Sequence, residues 1–164
     1  MGSQLTTETV WRALEKELFA VLGMVTAKQE ARTVGIVYVC KPSVWDSKLY
    51  IGTGKTSWKA RHIGANSHVS MTVTQHKRIP FMPWMKIPPA TITFHGTARL
   101  IPAAEVESDV LAALFRGMVK DAQRVAESVV IEVTPQGQFV TYGIGVSLWA
   151  MRSPEQARGR VAVG

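Results

Sequence analysis

The chain has 164 residues, 46% of them hydrophobic and 19% charged, a balance that builds one domain with a proper core and excludes an intrinsically disordered chain. A single cysteine, Cys40, excludes a disulfide framework and a cysteine-based zinc site. The net charge of +7 favours anionic partners but does not choose among them, because the basic residues are spread along the chain without a long Lys/Arg tract.

Residues 7–22, TETVWRALEKELFAVL, predict a helix: Val10, Trp11, Leu14, Leu18 and Leu22 recur at three- and four-residue spacing. From Gly23 the pattern turns to β. GMVTAK reads as a short strand, QE as a turn, and ARTVGIVYVC (31–40), rich in β-branched residues, as a long strand. KPSVWDSK connects it to the strand KLYIGT. These three strands are expected to form an antiparallel meander, their connections being too short for crossover helices.

SWKARHIGAN predicts a short helix capped by Thr56 or Ser57, and HVSMTVTQ (68–75) a strand. HKRIPFMPWMKIPP is a Pro- and Met-rich insertion without periodicity. ATITFHGTARLI (90–101) is a long strand. PAAEVESDVLAALFRGMVKDA reads as a helix with Pro102 near its start and acids in its first turns. SVVIEVTP and GQFVTYGIGVSLWAM read as the last two strands, and residues 151–164 as a C-terminal arm. No repeat or linker interrupts the chain. The sum is a mainly β (α+β) single domain over 1–164 with its core in 8–150, an antiparallel barrel of about six strands with flanking helices. A sandwich is the alternative.

The stretch GTGKTS (52–57) looks like the end of a Walker A loop. That loop needs its first glycine at position 49, where this chain has Leu. A triphosphate-binding loop is thereby excluded, but an anion site is not. Ser57 stands where a helix begins, and free amides there attract anions. Thr53 adds a hydroxyl, and Lys55, Lys59 and Arg61 add charge. A solvated basic helix with a serine cap explains the same residues. Arg32 opens the strand expected to pair with KLYIGT, which would carry its guanidinium to the same anion.

In order and spacing, ARTVGIVYV followed by KLYIGTGKTSWKARHIGANSHVSMTV resembles the pyridoxamine 5'-phosphate oxidase-like flavin-binding split barrels. The matching positions are Arg32-Thr33-Val34, Tyr50, Thr53, Ser57 and Lys59, followed by ANSHVSMTV, and the likeness extends over roughly residues 8–150. It implies a six-stranded antiparallel split barrel, a homodimer, and FMN at the dimer interface. Arg32, Ser57 and Lys59 would hold the FMN phosphate. Thr53 and the backbone at Thr33–Val34 would border the ribityl chain and the ring, and Trp58 falls within the same motif. Three features depart from the pattern. Trp58 stands where the oxidase has Arg, Asn66-Ser67 replaces Asn-Pro, and the C-terminal substrate signature is echoed only by Trp149 and Arg152. Some relatives of this class also bind a deazaflavin or haem, or bind flavin without known catalysis.

The implied activity is hydride or electron transfer to a small organic substrate, with a non-catalytic flavin or haem carrier as the alternative. No nucleophile–base pair stands out, as expected where a flavin performs the chemistry. In the insertion, Phe81, Met82, Trp84, Met85 and Ile87 read either as a lid over the ring or as dimer packing. His62, His68, His76 and His95 lack metal-ligand spacing. His76, beside Lys77 and Arg78, could face the pocket, and Cys40 reads as a core residue. Nucleic acid is not an expected partner, because the aromatics fall in a helix and a Pro-rich loop rather than on a basic strand face. No apolar run reaches the ~18 residues of a membrane span and no secretory signal is apparent, so the cytoplasm is the expected compartment. MGSQLT fits the loose myristoylation pattern through Gly2 and Thr6, a pattern short enough to match by chance.

Overall fold

The structure is a computed structural model that describes residues 5–41, 43–76, 88–116 and 122–164. Helix α1 (Thr7–Lys16) begins at Thr6, whose hydroxyl accepts the Thr9 amide at 3.1 Å, and buries Val10, Trp11, Ala13 and Leu14. It stops six residues before the expected end. Glu17 is extended, and in strand β1 (Phe19–Val25) the burial period becomes two, with Ala20, Leu22 and Met24 inward. Leu22 matched a helical spacing by coincidence, and a strand wins because β1 gains partners on both edges.

A hairpin joins β1 to β2 (Ala31–Val37) through a turn at Thr26–Glu30, with Gln29 at φ 63°. The Thr26 hydroxyl accepts the amides of Lys28 and Glu30, so the turn begins earlier than the expected QE. Tyr38 separates β2 from the two-residue β3 (Val39–Cys40), and β4 (Leu49–Gly54) follows. Next come α2 (Trp58–Ala65), β5 (His68–Gln75) and β6 (Ala90–Pro102). Pro102 closes a strand rather than opening a helix. The long helix expected after it is instead a single 3-10 turn at Ala103–Glu105 and α3 (Ser108–Phe115), which ends on Arg116 at φ 37°. A short α4 (Ala122–Ala126) lies beyond.

The two strands expected after α4 are one, β7 (Ser128–Tyr142). Its register against β6 slips between Thr93 and His95, and Gly137 at φ 71° lies in the slipped stretch. The strand therefore bends where the sequence suggested a break. The C-terminal arm is also structured: α5 (Pro154–Ala157) leads into β8 (Arg158–Ala162), which pairs with β7. Trp11 Nε1 donates to the Val163 carbonyl at 3.1 Å and the Thr7 hydroxyl to that of Ala162 at 2.8 Å, tying α1 to the arm.

The described strands form one antiparallel sheet of eight, where six were expected, in the order β2-β1-β5-β6-β7-β4-β3 with β8 on β7. The path begins on β2 and ends on β3, which Tyr38 alone separates, so the sheet curls onto itself as a split barrel. The expected meander forms only in part. β2 pairs with β1, and only Val39 and Cys40 reach β4, opposite Tyr50 and Leu49. β7 carries β6 along one edge. Its other edge is shared, with β4 on the first half and β8 on the second.

Inside the curl, Phe139 is fully buried and meets Trp11 and Phe94 edge-to-face at 5.3 and 5.4 Å. Outside it, α3 packs Val110 against Trp45, Tyr50 and Val130. Beside that cluster, the buried Glu132 carboxylate meets Arg99 at 3.0 Å, Tyr50 Oη at 3.4 Å and Lys48 at 3.6 Å.

Two predictions test this core. The buried Tyr38 hydroxyl donates to the Leu14 carbonyl at 2.7 Å. Tyr38→Phe should lower the unfolding free energy by about 1–3 kcal/mol in urea denaturation, because it strands a buried acceptor. Burial, and secondarily Glu15, pushes the Cys40 thiol up to about 12. At pH 8 the folded protein should resist iodoacetamide, and the same protein in urea should be alkylated readily, as mass spectrometry would show.

Candidate functional site

The turn between β4 and α2 builds the site. The Ser57 amide closes it on the Gly54 carbonyl at 3.0 Å, and the Lys55 amide donates to the Glu127 carbonyl at 3.0 Å, anchoring the turn to the start of β7. Ser57 caps α2: its hydroxyl accepts the Ala60 amide at 3.2 Å and its carbonyl accepts the Arg61 amide at 3.1 Å. The amides of Trp58 and Lys59 are those that the first helical turn leaves available to an anion. The Thr53 hydroxyl donates to Ser57 Oγ at 3.0 Å, so both hydroxyls converge at the end of β4. Trp58, 37% exposed, packs edge-on to His62 at 5.7 Å, and Lys59 Nζ lies 6.0 Å from the Trp58 ring centre.

The structure thus brings together Thr53, Ser57, Trp58 and Lys59, four of the residues expected from the sequence. Arg32 stands apart in its contacts. Its part of β2 pairs with β1, opposite Met24, instead of continuing the ladder to β4. Its exposed guanidinium takes Glu30 Oε2 at 2.7 Å. Thr33 and Val34 lie next on the same strand, Thr33 exposed and Val34 against the core.

The incomplete meander leaves a slot. Among the described residues, β2 has a strand on one edge only, and β4 loses its second partner after Tyr50. The backbone of Thr33–Val34 and of Gly52–Gly54 therefore borders open edges, where amides and carbonyls can meet a ligand. A cavity of about 330 Å³ lies beside the β4 edge, lined by Val37, Val39, Gly52, Thr53, Gly54 and Phe115, among others, but not by Thr33 or Val34. A side chain at Gly54 would meet nothing within 4 Å, and one at Gly52 would come within 3.6 Å of Phe115. The cavity has apolar walls, the free edge of β4 and Thr53, whose hydroxyl links it to Ser57 at the N-terminus of α2. That arrangement suits a flat, apolar group with a single anionic end.

Sequence reasoning missed Val37, Val39 and Phe115. The available signal was Val37, an outward apolar residue 60% exposed, but reading 31–40 as one paired strand concealed it. The insertion 78–89, expected to be a lid or a packing surface, falls largely outside the described residues. His76 is exposed. Among the described residues no three His, Cys, Asp or Glu side chains group to hold a metal, and no helix is long and apolar enough to cross a membrane.

The family model for pyridoxamine 5'-phosphate oxidase matches residues 6–141. Several solved structures share the fold. An F420 reductase is 20% identical, with a TM-score of 0.54 over 77% of this chain and 91% of its own. General Stress Protein 26 from Bacillus anthracis is 17% identical, with a TM-score of 0.55 over 83% and 91%. A heme binding protein from Mycobacterium smegmatis is 12% identical, with a TM-score of 0.63 over 99% of this chain but 60% of its own. Among curated protein sequences, none matches at a significant level.

Ser57→Ala should cost about 1 kcal/mol of unfolding free energy by removing the cap of α2, and Ser57→Asp should recover most of that loss. Because a carboxylate at the cap repels an anionic ligand, the two variants separate capping from anion binding: both should weaken the binding of a phosphate monoester in a calorimetric titration.

Proposed function

Because the chain belongs to the pyridoxamine 5'-phosphate oxidase family, we propose that it binds a flavin, FMN, in the slot between β2 and β4 and acts as an oxidoreductase on a small organic substrate. The observation that carries this reading is the Thr53–Ser57 hydroxyl pair at the N-terminus of α2, placed at the end of a slot with unpaired strand edges. Ser57 and the first amides of α2 would hold the phosphate, with Lys59 supplying a mobile charge. When bound, the flavin supplies the hydride or electron transfer itself. The chain's residues would bind it, orient it and exclude water. Val37, Val39 and Phe115 would provide the apolar walls, and the edges of Thr33–Val34 and Gly52–Gly54 the polar contacts. Arg32 would join the phosphate only by releasing Glu30.

A homodimer belongs to the same reading. Phe19 and Val37 sit opposite each other on adjacent strands, 52% and 60% exposed, at the margin of the slot. A second copy packed there would cover them and close the site. A deazaflavin is the second reading, supported by the shared fold of the F420 reductase. Trp58, standing where the oxidase has Arg, removes one phosphate-binding charge.

Absorbance of the purified protein titrated with FMN tests the proposal. The expected result is a perturbed flavin spectrum with saturable binding, weakened at least about tenfold in a Ser57→Ala/Lys59→Ala variant. An unperturbed FMN spectrum together with saturable binding of a deazaflavin would transfer the assignment to the second reading. Binding of neither would overturn both.

A further inference from the structure

A second concentration of positive charge lies at the opposite end of β7 from the Gly54–Ser128 pair. The register aligns Thr93, Val140 and Arg160 in one row across β6, β7 and β8, and Thr91, Tyr142 and Arg158 in the next. Phe139 and Thr141, which alternate with Val140 and Tyr142, are buried, so both rows occupy the outer face. A cavity of about 490 Å³ is lined by these six residues together with Thr141 and Gly159. Its lining holds two arginines and no carboxylate.

Among the described residues the ion-paired acids are Glu8, Glu30 and Glu132, and none of them pairs with Arg158 or Arg160. Nor can the insertion between β5 and β6 supply a counter-charge, because residues 76–89 contain no Asp or Glu. The surrounding polar groups are fixed. The Tyr142 hydroxyl donates to the Met151 carbonyl at 2.7 Å, and the Thr93 hydroxyl meets that of Thr72 at 3.1 Å.

We propose that this face binds the phosphate group of a small molecule, held by Arg158 and Arg160 with the hydroxyls of Thr91 and Thr93 beside it. The arginines are two residues apart on one strand and project on the same side, so both guanidinium forks can address one tetrahedral anion. A phosphate offers enough oxygens for two bidentate donors, whereas a carboxylate satisfies only one. The competing explanation is protective: β8 is an edge strand, and exposed charge deters edge-to-edge pairing. Protection requires charge but no ligand. The site stands independently of the flavin reading, from which β7 separates it.

Calorimetric titration with inorganic pyrophosphate, with acetate for comparison, and with and without FMN present, tests the site. Pyrophosphate should bind and acetate should not. Arg158→Ala/Arg160→Ala should weaken pyrophosphate binding at least about tenfold, and Arg158→Lys/Arg160→Lys, which retains charge but loses the forks, should weaken it severalfold. Lys16→Ala/Lys28→Ala, an equal loss of net charge elsewhere, should leave it unchanged, and so should Ser57→Ala/Lys59→Ala. Absence of binding overturns the proposal, as does equal weakening in the Lys16/Lys28 variant. Loss in the Ser57/Lys59 variant alone would place the anion at α2 and likewise overturn it. If the alanine pair fails to fold, the lysine pair decides, and unchanged affinity there rejects the site.

Discussion

Everything in this fold turns on Tyr38. The residue is fully buried, its hydroxyl is held by the last turn of α1, and its amide donates to the Leu18 carbonyl where β1 begins. Those two bonds pin the chain at the point where it leaves one end of the sheet and joins the other. Before Tyr38 the strand belongs to β1, and after it the strand belongs to β4. The sheet is thus forced to close, but only along two residue pairs. Burial also pushes the phenol far above its ordinary range, reinforced by Cys40 and Glu17, so the ring stays a neutral donor at any physiological pH. The slot is the geometric remainder of this corner: a strand that turns from one partner to another leaves each of its edges unpaired for part of its length.

A second constraint holds the other wall of the slot in place. β4 is set against β7 by a cross-strand row in which Tyr50 faces Glu132 and Glu132 faces Arg99. Glu132 is a buried carboxylate with three partners, two of them cationic, and it is tolerable in that place only because they are present. Burial, and then Glu132 itself, pushes the Tyr50 phenol up to about 12, so it remains a donor to the carboxylate. Nearby, the Trp45 indole donates to Asp109 at 2.7 Å and holds that carboxyl below the usual range, linking the loop before β4 to α3. These polar contacts lie on the outer face of the sheet, the α3 side from which Phe115 also lines the cavity, and they hold β4 in place.

The sequence revealed the local elements far better than their partners. The cap at Ser57 was readable because a serine before a helical stretch has one main physical use there, and the structure adds the Thr53 hydroxyl to it. The strand 90–102 was readable because its alternation is long. The errors arose where two periodicities overlap or where tertiary pairing decides. Leu18 and Leu22 satisfy a helical repeat, yet Leu22 is buried as a strand residue and Leu18 is 43% exposed. Pro135 and Gly137 look like a break, yet a bulge accommodates both within one strand. The meander failed at the Arg32 end because nothing local in 31–40 states that its two halves have different partners. β8 went unrecognised because RGRVA has only two β-branched or apolar positions to mark it, and its pairing depends on a free half-edge of β7 that the sequence does not display.

On the proposed flavin reading, GTGKTS without a Walker A loop matches an anion of the size of a single phosphate. A triphosphate needs a wide loop whose amides encircle several phosphates. A single phosphate needs only a helix N-terminus, a cap and one or two hydroxyls, and Thr53 through Lys59 supply these in seven consecutive positions. The capping role leaves Ser57 Oγ with its acceptor capacity directed at Ala60 and its proton free for an anion, while Thr53 donates to it from the strand side. Glycine at positions 52 and 54 keeps the approach open, with no Cβ between the strand edge and the cavity. The same economy explains the charge. Lys59 rests over Trp58 and, among the described residues, pairs with no acid, so on the proposed reading no carboxylate would have to be displaced before it met a phosphate. Arg32, held by Glu30, would have to break an ion pair to do the same. On the proposed reading the helix amides and Lys59 would therefore meet the phosphate without breaking an ion pair, and Arg32 would not.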